Sequence, residues 1–492
     1  MRRPIRQFVL AAGVVVRLGQ DDLAFEQARA RGLADRARPF SSSWATAIER
    51  TLAHLTLPTS EEWSTASHAA LRLTPNYGKR RAWLAARQRK CEQACHGANC
   101  FEEAGMGRMW VFRSLFIASM LCAGCSTPYS TPVFDSRPKG NTDFPGIAQL
   151  VAATPDKSID LLIVHGMCAK DEGWARRSIS DLSHTLGGPE EPDISRHEMP
   201  DSKIMLYRSG LSTPSGKVHA SVVLWSPVFA PLKSQLCYDQ TDKTDACQAI
   251  DPKPPAYELK RAKLNAMLKD KLLDDCLADV LIYESKSRDA ISKQLQRAIL
   301  TATTADGARD TMQSLLSAAS TESRPIVLIS ESLGSKMTFD AIHKLQHSEA
   351  REAAAAGERV FDRLVQIFMA ANQLPILALA DQHVSPEIEA RKASDYQADP
   401  LGALIERRKA RSKSARPVQE TRVVAFTDPN DLLSYTLSRA TANVGFEVVD
   451  AIVSNDSTWF GLVENPGTAH TKYLKKDGVV NKLIACGTKG CP

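Results

Sequence analysis

The sequence has no apolar run of bilayer length. The stretch Leu115–Leu121, preceded by Arg108 and Arg113, falls far short of the roughly 20 residues that a spanning helix needs. Outside its leading segment the chain also lacks an excess of charge of one sign. Residues 1–124 carry 18 Lys+Arg against 10 Asp+Glu, leaving 44 and 46 of the chain's 62 and 56 for the remainder. The main body therefore gives no electrostatic reason to expect nucleic acid as a partner. A C-x2-C metal pair is missing too: Cys91, Cys95 and Cys100, grouped around His96, have another spacing, and no metal is expected there. Finally, residues 1–105 lack any strand-turn-helix rhythm. Rich in Ala and Arg, they read as a poorly structured N-terminal extension.

What is present is organised around Arg324–Ile342. The β-branched run Ile326–Ile329 reads as a buried parallel strand and the residues after Gly334 as a helix. Ser330-Glu331-Ser332-Leu333-Gly334 joins them, with small residues two positions either side of Ser332. A serine at the tip of such a turn projects its hydroxyl clear of the sheet. The helix N-terminus behind it makes Leu333 N–H a candidate oxyanion donor. Further strands are expected at Ile159–Val164, Ser221–Trp225, Val280–Tyr283, Val365–Met369 and Val423–Phe426, with helices at Trp174–Leu186 and Ile291–Thr301. This alternation implies an α/β fold, a mostly parallel central sheet with helices on both faces. An insertion spans about 230–275. In it Tyr257–Leu273 reads as an amphipathic helix, either packed on the core or part of a lid. The basic run Arg407–Arg416 reads as a surface loop, solvated or in contact with anionic lipid.

Ser330-Glu331-Ser332-Leu333-Gly334 resembles the nucleophile elbow of the α/β-hydrolase superfamily, G-x-S-x-G, with Ser330 in the first glycine's place. Glu331 is a second departure, pairing with Lys336 or facing solvent. His165-Gly166-Met167, where the first strand ends, resembles the superfamily's oxyanion loop, which points to Met167 N–H as the second donor. The superfamily order of Ser, then acid, then His implies Asp431 as the acid, with Asp428 as the alternative, and His470 as the base. Asp428 before Pro429 also suits a helix N-cap leading into Asp431-Leu432-Leu433-Ser434. His470 falls in a loop ahead of a terminal helix from about Lys475 to Ile484. The resemblance implies a serine esterase or lipase that works through an acyl-enzyme on an ester or lipid substrate. No metal or organic cofactor is implied. The alternative is a catalytically inactive protein of the same fold acting as a binding or scaffold module.

Met106–Ser126 combines a basic start, a short apolar core and Cys122-Ala123-Gly124-Cys125. It resembles a bacterial lipoprotein signal peptide over 106–125, in which Cys125 is lipidated and anchors the protein to a membrane of the cell envelope. On that reading Met106 or Met109 is the start; a short buried helix is the alternative. Residues 126–150, rich in Pro, Thr, Ser and Gly, read as a tether, and 151–492 as the hydrolase domain. In an oxidising compartment Cys237 with Cys247 and Cys486 with Cys491 would close small loops, leaving Cys168 with Cys276 as the third pair.

Overall fold

Strands covered on both faces need continuous apolar runs, whereas edge strands tolerate alternation. Both kinds occur in the computed structural model of the chain. It describes residues 125–137, 140–244, 247, 260–305, 311–381, 400–410, 421–437, 447–459 and 461–491, together with a short antiparallel pair, Gln7–Val9 and Val15–Arg17. The chain divides into two compact units, Met1–Gly124 and Cys125–Pro492. The N-terminal extension, most of the signal-peptide reading and residues 411–416 of the basic run lie outside the described residues.

The second unit is built on nine strands: β1 (Val133–Arg137), β2 (Ser158–Val164), β3 (Ser195–Glu198), β4 (Met205–Thr213), β5 (Gly216–Leu224), β6 (Ile326–Glu331), β7 (Leu364–Ala370), β8 (Arg422–Thr427) and β9 (Glu447–Ile452). They form one sheet in the order β1-β9-β8-β7-β6-β2-β5-β4-β3. The six strands from β9 to β5 are parallel. Antiparallel neighbours close both sides, β1 on β9 and the β3–β4 pair on β5.

The sheet separates two cores. On one face α1 (Ile147–Ala153), α2 (Glu172–Thr185) and α13 (Val479–Cys486) pack on Ile159, Leu161 and Ile163. On the other, α6 (Arg288–Ala302), α7 (Met312–Thr321), α8 (Leu333–Gln346), α9 (Arg351–Arg363) and α11 (Pro400–Ala410) pack on Leu162, Val164 and Leu328. Successive side chains of β2 thus enter opposite cores, as the period of a strand requires. The expected α/β architecture, mostly parallel and covered on both faces, is observed.

Several local expectations are corrected. Val280–Tyr283 is not a strand: it belongs to α5 (Ala278–Tyr283), which continues α4 (Lys263–Met267) and the π-helical Leu268–Leu277. Its β-branched residues are outweighed by Asp279 and Tyr283, four apart and both buried, which fix one helical face inward. Residues 126–150 are not a free tether. Ser126 pairs with Thr458, β1 completes the sheet against β9, and Gln149 of α1 donates to the Cys486 carbonyl at 2.6 Å. The folded unit therefore begins at Cys125 rather than 151. The basic run starts inside α11, where Arg407 pairs with Glu358 at 2.9 Å, instead of in a loop.

Three disulfides join Cys168 to Cys276, Cys237 to Cys247 and Cys486 to Cys491, the pairing expected from the cysteine arithmetic.

Candidate active site

One residue, Ser332, separates the end of β6 from the start of α8, and its backbone carries the strain of so short a turn, with φ 51° and ψ −126°. A side chain at positive φ is costly, and such outliers persist only where the surroundings enforce them. Here Ser332 N–H donates to the Ala370 carbonyl at the end of β7 (2.8 Å), while its own carbonyl accepts from Ser335 (3.1 Å). The turn also abuts the end of β2. A Cβ on Gly334 would lie 2.2 Å from the His165 carbonyl oxygen, and one on Gly166 would lie 2.7 Å from Ser332 Cβ, so neither position admits a side chain. Ser330 is accommodated where the superfamily pattern has glycine, because its buried hydroxyl accepts from Ser335 Oγ at 2.9 Å.

The contact falls where strand order reverses: from β2 the chain builds outward to β5, from β6 in the other direction to β7. Open α/β sheets bind ligands at such a point, beyond the carboxyl ends of the strands.

The loop after β2 is held from three sides. His165 is fully buried, stacked on Trp225 with ring centroids 4.3 Å apart. Burial pushes its pKa well below the usual histidine range, so the ring is neutral. Its Nε2 accepts from Trp225 N–H (3.1 Å), leaving Nδ1–H to donate to the Gly166 carbonyl (2.7 Å). From the β6 side, the Glu331 carboxylate accepts the Gly166 N–H, and burial raises the Glu331 pKa. Neither expectation for Glu331 holds, since Lys336 is buried among Asp381, Asp340 and Glu284. From the insertion, Asp279 accepts Cys168 N–H at 2.8 Å, Asp275 accepts Ala169 N–H at 3.2 Å, and Cys276 is bonded to Cys168. Buried Lys233 bridges the two aspartates. Burial pushes the Asp279 carboxyl up to about 6 against the pull of that lysine.

Between these fixed points lies Met167, whose sulfur accepts from Gln373 at 3.4 Å. Among the described residues neither Met167 N–H nor Leu333 N–H has an acceptor. Leu333 heads its helix, which cannot pair that group internally.

The two aspartates after β8 have different surroundings. Asp431 lies against the imidazole: His470 Nδ1 is 2.9 and 3.0 Å from its carboxylate oxygens. Tyr473 Oη–H (3.1 Å) and Leu433 N–H (3.0 Å) hold the same carboxylate. Asp428 instead ties two loops together, accepting from Asn430 N–H (2.9 Å) and Asn455 N–H (2.6 Å). It caps no helix, because 431–437 is not helical. His470 sits on α12 (Pro466–Thr471), whose cap is Asn465, rather than in a loop, and the terminal helix starts at Val479 rather than near Lys475.

The structure thus joins His470 to Asp431 but not Ser332 to His470. Ser332 Oγ is buried without a hydrogen-bond partner. Ser332 and Asp431 nevertheless both lie beyond the carboxyl ends of parallel strands of one sheet, Ser332 after β6 and Asp431, which contacts His470, after β8. Tyr473, Glu331 and Asp279 were not singled out from the sequence as contributors to this geometry. Tyr473 had a signal in its spacing, three residues after His470. The other two meet partners distant in the chain.

No family model, curated protein or solved structure matches this chain.

Proposed function

We propose that the chain is a serine hydrolase of the α/β-hydrolase superfamily that cleaves carboxylic esters. The observation that carries this reading is the strained backbone of Ser332 at a strand-to-helix tip, on the same sheet edge as a His470–Asp431 pair. Ser332 Oγ attacks the ester carbonyl while His470 Nε2 takes its proton. The proton then passes to the leaving alcohol, and water hydrolyses the acyl-enzyme by the reverse sequence. Asp431 fixes the Nδ1–H tautomer and stabilises the imidazolium, and the N–H groups of Met167 and Leu333 receive the oxyanion. The basic, short-cored segment ending at Cys125 supports lipid anchoring at a bacterial envelope membrane, which would bring the enzyme beside acyl substrates.

A fluorophosphonate probe tests the reading on the full chain. Labelling is expected, and is expected to vanish in Ser332→Ala. Asp431→Asn should lower ester turnover by about 10⁴-fold, as loss of the correct tautomer does elsewhere, and Asp428→Asn should not. A second reading, a non-catalytic binding module, draws on the buried Ser332 Oγ and its missing bond to His470. Folded protein that takes no label would establish that reading and overturn the first. p-Nitrophenyl esters of graded chain length would then define the acyl preference of an active enzyme.

A further inference from the structure

The insertion helix running from Lys263 to Tyr283 is packed inside out. Its acidic side chains are turned inward and partnered. Asp270 accepts the N–H groups of Thr241 (2.8 Å) and Asp242 (2.7 Å), Asp274 pairs with Lys269 (3.0 Å), and Asp275 and Asp279 meet Lys233. From Lys263 to Leu277 its large apolar side chains are turned outward, before Tyr283 returns to the core: Leu264, Met267, Leu268, Leu272, Leu273 and Leu277 are between 38 % and 67 % exposed. The Leu268–Leu277 segment is wound as a π-helix, with hydrogen bonds reaching five residues along. Spacings of four and five between Leu268, Leu272 and Leu277 suit that winding, so the apolar residues stay on one side instead of drifting around the axis.

A contiguous apolar face of this extent on a soluble unit marks an interaction site. Its charge says what kind. The charged side chains that this helix exposes are Lys263 and Lys271, while its acids face the interior. Leucines with lysines alongside, and no outward carboxylate, are what a helix needs to lie in the headgroup region of a negatively charged bilayer. A second copy fits less well, since a two-fold contact would set one lysine-bearing face against another.

We propose that this helix is a docking face for an anionic phospholipid bilayer, separate from any anchor at Cys125 and independent of hydrolysis. The leucines enter the interfacial region and Lys263 and Lys271 meet lipid phosphates.

The experiment uses the full chain carrying Cys125→Ser, so that lipidation plays no part. Binding is measured to phosphatidylcholine vesicles with and without phosphatidylglycerol. Leu268→Ser/Leu272→Ser is expected to weaken binding to both by roughly tenfold or more, through the loss of buried apolar area. Lys263→Glu/Lys271→Glu should weaken binding to the phosphatidylglycerol vesicles, and that binding should fall with added salt. A tryptophan introduced as Leu272→Trp should be quenched by lipids brominated on the acyl chains, measured as the difference from the chain without it. Unchanged binding in the leucine variant, or no quenching at position 272, overturns the proposal. So does a concentration-dependent dimer that Leu268→Ser/Leu272→Ser abolishes, because a second copy would then cover the face. Ser332→Ala should bind vesicles as the parent does, so this outcome and that of fluorophosphonate labelling are read independently.

Discussion

Ser332 is held where its backbone is unfavourable and its hydroxyl unpaired, and both conditions weigh on the folded state. A non-glycine residue in such a region costs about 1–3 kcal/mol. Ser332→Gly relieves that cost but gives back about 0.5–1 kcal/mol through the greater freedom of glycine in the unfolded chain. The variant is expected to gain about 1 kcal/mol in urea denaturation while losing all hydrolysis. A variant no more stable than the parent would show that the turn is not strained. The Glu464 carboxyl is pushed up to about 7 by burial and by the charge of Asp428. The folded protein therefore holds this proton more tightly than the unfolded chain, and stability falls as pH rises between the ordinary value of 4.5 and about 7. Glu464→Gln removes the titrating carboxyl and keeps one acceptor, which serves Asn430 Nδ2 or Asp456 N–H but not both. Its melting temperature relative to the parent's should be higher near pH 8 than near pH 4. Equal melting temperatures at both would remove Glu464 from the account. At this scale the turn at Ser332 and the His470–Asp431 contact were legible from local sequence and chain order. Glu331 was not, because its partner is a backbone N–H in the loop after β2, contributed by Gly166.

At the scale of elements, the three disulfides close loops of very different size, with sequence separations of 108, 10 and 5. Chain entropy alone assigns them about 5, 3 and 2 kcal/mol respectively. Replacing each pair by serines should lower stability in that order in denaturant titrations. Cys168→Ser/Cys276→Ser should also lower ester turnover, since it frees the loop bearing Met167. Turnover unchanged in that variant would mean that Asp275, Asp279 and Lys233 hold the loop without the covalent link. The strands β2, β5, β6, β7 and β8 could be read directly from the sequence as apolar runs, although the same signal misled at Val280–Tyr283, which is helical. The β3–β4 pair could not, because edge strands expose one side and lose that signature. The inward acids of Lys263–Tyr283 also escaped notice: the apolar spacing revealed an amphipathic helix, but its orientation depends on Lys233 and on the backbone of Thr241 and Asp242.

For the molecule as a whole, the closed sides of the sheet matter most. β1 covers β9, and a paired strand prevents the open row of amides that drives edge-to-edge association. A chain beginning at Cys125 is expected to remain monodisperse and to keep the melting temperature of the second unit. One beginning after Arg137 should elute in size exclusion as aggregates. If the shorter chain behaved like the longer one, β1 would be dispensable. Composition hid this strand, because a segment of Pro, Thr, Ser and Gly gives no hint that five of its residues will meet a partner near the other end of the sequence.

That same closure by distant segments sets an order of events during synthesis. Gln149 bonds to Cys486, 337 residues away, so α1 has no α13 to pack on, and β1 no β9, until those later segments have been synthesised. Until then a nascent chain lacks the cover that these two late contacts give the sheet.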